Sequence, residues 1–233
     1  MEKTLTRYKF FIYTFFYLLF VGFSVNHGNE LLYPLLVLLL IFFIEFKKDV
    51  FNDEKFSFNK QFLKNFFLSI FFSLSIYMLL YSIGVFFTYE SYEKNVLDFS
   101  IIDIITIVVL YPIFEELFFR KLYFITYKDT KFSRLVLLNG FVFSIAHIFS
   151  DTPLFHAFIF GCSFFLIYLK NKKIVFSIFS HIFINSLLFI TYYNQENIVM
   201  FVKNNNFFIF IVSFVITIWF FYSYFNKNTY EKK

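Results

Sequence analysis

The sequence predicts an all-α membrane protein that crosses the bilayer eight times, one membrane domain over residues 1–233 with both termini cytoplasmic. Three observations carry this. Hydrophobic residues make up 59% of the chain and charged residues 16%, at a mean hydropathy of +0.68, which leaves no polar shell for a soluble core. Apolar stretches long enough to cross about 30 Å of hydrocarbon recur from end to end. Nineteen of the 21 Lys and Arg residues fall on alternate connections between those stretches, the asymmetry of the positive-inside rule. The net charge of +5 therefore belongs to cytoplasmic loops and is not the footprint of a nucleic-acid binder. Soluble enzymes, nucleic-acid partners and disordered tails are excluded; the surrounding partner is a lipid bilayer.

The expected spans are 10–25, 31–46, 66–88, 101–119, 135–149, 154–169, 174–193 and 207–225. Each must be a helix, because lipid offers backbone groups no partners and no barrel-like alternation is present. The first is not a cleaved signal, since no small-residue cleavage site follows Val25. The second ends on Glu45, one turn from Lys48 at a cytoplasmic edge, where it snorkels or pairs. Lys47–Lys64 is the longest polar interruption and reads as a charged loop or surface helix. The third span is uncharged throughout. Asp103 in the fourth span, Asp151 and His156 fall near the outer interface, where water reaches them. Cys162 in the sixth span stands alone, so there is neither an internal disulfide nor a cysteine metal site. Lys94 and Lys203 are the only two basic residues on the outer side. Two alanines and five glycines against abundant Phe, Ile, Asn, Lys and Tyr point to an AT-rich genome, hence a bacterial cell membrane.

Six polar residues have no such ordinary explanation: Glu115, Glu116 and Arg120 in the fourth span, His147 in the fifth, and His181 and Asn185 in the seventh. Ionisable groups in apolar helices are costly and mark function by default. Glu116 and Arg120 are four apart and share a helix face, so they can pair, while Glu115 is rotated by about 100° from that pair. His181 and Asn185 are also four apart and look into one space. The groups can meet only if the fourth helix continues through Leu122–Tyr127 to a turn at Lys128–Lys131. Glu115 and His147 then each lie about 18 Å into the membrane, with Asn185 near 16 Å and His181 near 10 Å, at 1.5 Å per residue. Pro112 fits a break just above the glutamates. A clamp that only fixes helix packing is the bland reading of the same residues.

Glu115-Glu116-Leu-Phe-Phe-Arg120 reads as EExxxR, Phe143-Ser-Ile-Ala-His147 as FxxxH, and His181-Ile-Phe-Ile-Asn185 as HxxxN. In order and placement these resemble the CPBP intramembrane proteases, also called the CAAX-protease and bacteriocin-processing or Abi family. The resemblance covers 101–190, a catalytic helical core of four spans. It implies an intramembrane endopeptidase that cuts a membrane-associated peptide or protein. Glu115 with His147 would activate water, His181 and Asn185 would stabilise the oxyanion, and Glu116 with Arg120 would hold the site together. The residue chemistry agrees: a carboxylate in low dielectric is a stronger base, and neutral His and Asn amides donate to developing charge. No cofactor is expected. The alternative is zinc on Glu115, His147 and His181, although HExxH is absent. A non-proteolytic scaffold or bacteriocin self-immunity protein is the alternative class.

Overall fold

The computed structural model describes residues 10–12, 14, 15, 17, 58–87, 99–150 and 152–225. The described residues are helical and contain no strand. Helix α1 is Lys60–Phe87, α2 a continuous helical run over 101–127, and α3 Phe132–Ala146. Helix α4 is Leu154–Asn171, α5 Ile174–Tyr193 and α6 Gln195–Phe225. The span expected at 31–46, and most of that at 10–25, lie outside the described residues. Among the described residues, four helical stretches are long and apolar enough to cross a membrane: Lys60–Val85, Leu154–Asn171, Ile174–Tyr193 and Asn197–Tyr224.

Helix boundaries depart from the apolar stretches for local reasons. Helix α1 starts six residues before the expected 66, because the Asn59 side-chain oxygen accepts the Phe62 N–H at 2.9 Å and caps the first turn. Helix α6 starts at Gln195 and not at 207, running through Lys203-Asn204-Asn205-Asn206. Those side chains are exposed or half-buried, and Asn205 donates back to Phe201 O at 2.9 Å, so the helix continues beyond its most apolar part. Hydropathy reports partition into lipid, not where a helix stops. The fourth helix does continue to Tyr127 before a turn at Lys128–Asp129. Helix α3 lies a turn earlier than expected and leaves His147 just beyond its last residue.

Contacts divide the chain into two compact units, one of 1–58 with 113–174, the other of 59–112 with 175–233. In the first, Phe10 and Tyr17 share a buried face, and Phe10 stacks on Phe118 of α2 at 5.3 Å. Helices α2 and α3 run antiparallel, with Phe119 edge-on to Phe143 and the Tyr123 hydroxyl donating to Leu135 O at 3.2 Å. Helices α3 and α4 meet at their glycines: a Cβ on Gly161 would lie 2.9 Å from Gly140 Cα and 3.0 Å from Phe143 Cβ. Only residues without side chains allow that approach. Helix α4 is buried without interruption from Phe160 to Leu169 and stops where Lys172 turns left-handed at φ 55°.

In the second unit, α1 and α6 run antiparallel. Phe72 packs on Phe220, Phe221 and Tyr224, and the Thr217 hydroxyl donates to Ser75 Oγ at 3.1 Å. Helix α5 runs parallel to α1, joined by Phe62 with Phe176 and by a Tyr77–Thr191 hydroxyl pair. The opposite face of α6 exposes Phe207, Phe208, Trp219 and Tyr222, a surface suited to hydrocarbon and not to water.

Candidate active site

Helix α2 carries the two glutamates between two stretches of wider, π-helical winding, Thr106–Leu110 and Leu117–Leu122. Such windings open carbonyls that the helix itself does not close, and they recur at functional sites. Here each stretch has a carbonyl taken by an asparagine from another helix. In the first, Tyr111 N–H goes to Thr106 O, and the next donor in that register is Pro112, which has no N–H. Ile107 O is thus left over, and Asn185 of α5 donates to it at 3.0 Å. In the second, the Asn139 amide of α3 donates to Phe119 O. A buried carbonyl in lipid needs such a partner.

Glu116 and Arg120 face away from water, both with fully buried side chains, and pair at 3.1 Å. Arg120 also donates from Nη1 to Asn139 Oδ1 at 3.0 Å, and its guanidinium lies 4.3 Å from the Phe143 ring centroid. An ion, an amide and an aromatic face together make a buried guanidinium tolerable. Asn139 therefore holds both the backbone and the cation of α2 from α3.

Glu115 is turned elsewhere. Its Oε1 accepts the Tyr17 hydroxyl at 2.9 Å, and its Oε2 lies 3.9 Å from His147 Nε2. The His147 Nδ1 is 2.9 Å from Phe143 O, one turn back. A carbonyl only accepts, so Nδ1 carries the proton of that bond, and in the neutral ring the Nε2 lone pair faces Glu115. His147 keeps a partly accessible side chain, whereas Glu115 is almost closed off. The chain can leave α3 here because local bonds close its end: His147 N–H to Ser144 O, Ser150 N–H to His147 O, and the Ser144 hydroxyl to Leu154 O.

His181 is buried on α5, one turn from Asn185, in the second unit. Thus the first unit brings together Glu115, Glu116, Arg120 and His147, and α5 carries His181 and Asn185. Among the described residues, no three His, Cys, Asp or Glu side chains gather as metal ligands. The sequence reading missed Tyr17 and Asn139. Asn139 could have been found as the one amide between Leu135 and Phe149, whereas Tyr17 has no such signal among 17 tyrosines.

Residues 97–187 match the family model described as Type II CAAX prenyl endopeptidase Rce1-like. Residues 97–187 are thus similar to an Rce1-like domain. The matched stretch contains all three motifs and overlaps the 101–190 core delimited by them, less than half of the chain. No curated protein and no solved structure matches the chain. The matched description and the long apolar helices are those of an integral membrane protein.

Proposed function

We propose that the protein is an intramembrane endopeptidase that hydrolyses a peptide bond in a membrane-associated peptide or the juxtamembrane segment of a protein. The Glu115–His147 pair carries the reading. In the neutral state of the ring, two acceptors face each other across 3.9 Å, a gap in which a water can donate one proton to each. Attack of that water on the scissile carbonyl passes a proton to Glu115, which delivers it to the departing amine as the C–N bond breaks. His181 and Asn185, taken from the HxxxN motif, donate to the oxyanion. Glu116, Arg120 and Asn139 hold α2 against α3 so that the pair keeps its spacing. Composition points to a bacterial owner, in which bacteriocin or signal-peptide maturation, or self-immunity to a bacteriocin, suits the chain better than clipping a prenylated tail.

The test is a panel of labelled membrane peptides incubated with the purified protein in nanodiscs, beside Glu115→Gln. That variant keeps size and most hydrogen bonding but removes the base, so cleavage should vanish while folding persists. Processing at the normal rate by Glu115→Gln would end the glutamate mechanism. A zinc enzyme needs His181 as third ligand. Exhaustive chelation leaves the metal-free enzyme active and silences the zinc enzyme, which added zinc then restores.

A further inference from the structure

Tyr17 lies 98 positions before Glu115 and places its hydroxyl 2.9 Å from Glu115 Oε1. We propose that Tyr17 is a positioning residue of the same site, its hydroxyl holding one carboxylate oxygen so that the other faces His147. The inference rests on the glutamate reading above.

Three observations converge. Tyr17 is 5% exposed, whereas Phe11 and Phe15 of the same segment are 72% and 53% exposed, so the segment turns one chosen face to α2. Its ring stacks with Phe114 at 6.0 Å and Phe118 at 6.3 Å and meets Phe119 edge-on at 5.5 Å, which fixes the ring on both axes. Phenylalanine would make every one of those contacts, and the chain uses it 45 times. The hydroxyl is therefore what tyrosine adds here, and it donates to the Glu115 carboxylate.

The chemistry suits a base that must stay directed in lipid. A phenol donates to a carboxylate without adding a charge, and a bond to an ionised acceptor is stronger than a neutral one. A second arginine or lysine in that place would restrain the carboxylate but also neutralise it. The phenol restrains it with no second charge beside it. With Oε1 held, rotation of the carboxyl group is stopped and Oε2 stays opposite Nε2. Misplacing a reacting group by about 1 Å can cost a hundredfold in rate.

Tyr17→Phe in the full-length protein is the decisive variant, with kcat and KM measured on the best peptide of the panel. We expect kcat to fall about ten- to a hundredfold with KM unchanged, because the hydroxyl does not touch substrate. A melting cycle with Tyr17→Phe, Glu115→Ala and both together should be non-additive whatever the activity, since each single change removes the same bond. Normal kcat in Tyr17→Phe beside an inactive Glu115→Gln overturns the positioning role and leaves the protease reading intact. A fall in kcat matched by lost thermal stability and an additive cycle also overturns it, since packing then explains the loss. If Glu115→Gln itself stays active, the glutamate reading fails and the positioning role fails with it, which the unchanged single variant makes plain.

Discussion

Replacing Glu116 by glutamine tests what holds the two halves of the first unit's polar centre together. In the native chain the Arg120 guanidinium is fully buried, 3.1 Å from Glu116, 3.0 Å from Asn139 Oδ1 and 4.3 Å from the Phe143 ring. Glutamine removes the only opposite charge in that list and leaves the amide and the ring in place. Breaking one member of a buried pair costs about 3–5 kcal/mol, and the glutamine oxygen can still accept, so the low end applies. A loss of about 3 kcal/mol corresponds to a melting temperature lower by roughly 6–12 °C for a chain of this size. The assay is thermal unfolding in one detergent, followed by intrinsic fluorescence and by retention of monodisperse protein. Arg120→Met in the same background should return most of the loss, because an apolar side chain removes the stranded charge. The reasoning is refuted if Glu116→Gln melts with the native protein, or if the double variant is worse than the single one.

Asn185→Ala removes both the partner of Ile107 O and a proposed oxyanion donor. It should reduce turnover by about a hundredfold and cost about 1–3 kcal/mol of stability. Adding Pro112→Ala restores a backbone N–H in the register that Ile107 O needs, so the pair should regain stability in melting assays while turnover stays low. Gly161→Ala drives a Cβ to 2.9 Å from Gly140 Cα and should cost about 1–3 kcal/mol, read by the same melts. Reporter fusions at Lys48, Lys131 and Lys233 should be active in the cytoplasm and those at Lys94 and Asn194 outside; an external Lys131 would invert the proposed orientation.

Much of the architecture is legible because lipid imposes it. Unbroken apolar stretches mark the helices, and a four-residue spacing brings Glu116 and Arg120 together at a position too costly to be incidental. The requirement that Glu115 and His147 share a depth also demanded that α2 run on to Tyr127, through residues that hydropathy alone would reject. What escaped the sequence is governed by other physics. The wide windings of α2 leave no periodic mark, since each adds only a residue or so to a run that remains apolar. Asn59 sets a helix start through a cap, to which hydropathy is blind. Tyr17 reaches Glu115 across 98 residues of sequence, and in a chain with 27% aromatic residues its hydroxyl cannot be singled out beforehand.

Helix α3 has 15 residues, which at 1.5 Å each is about 22 Å, short of the roughly 30 Å that a hydrocarbon layer requires. With Phe132 at the cytoplasmic face, as in the proposed orientation, the deficit falls at the end where His147 emerges. Lipid around α3 must thin, or water must descend to meet the helix end, and either response costs fractions of a kcal/mol per Å of mismatch. Membrane thickness thereby becomes a variable of the chemistry. In short-chain lipids the headgroups and their water come down toward His147 at little cost, and in long-chain lipids they recede from it. A soluble protease takes its nucleophile from an unlimited bath; under the proposed mechanism the acyl chains of the host membrane would help determine how readily the nucleophile arrives.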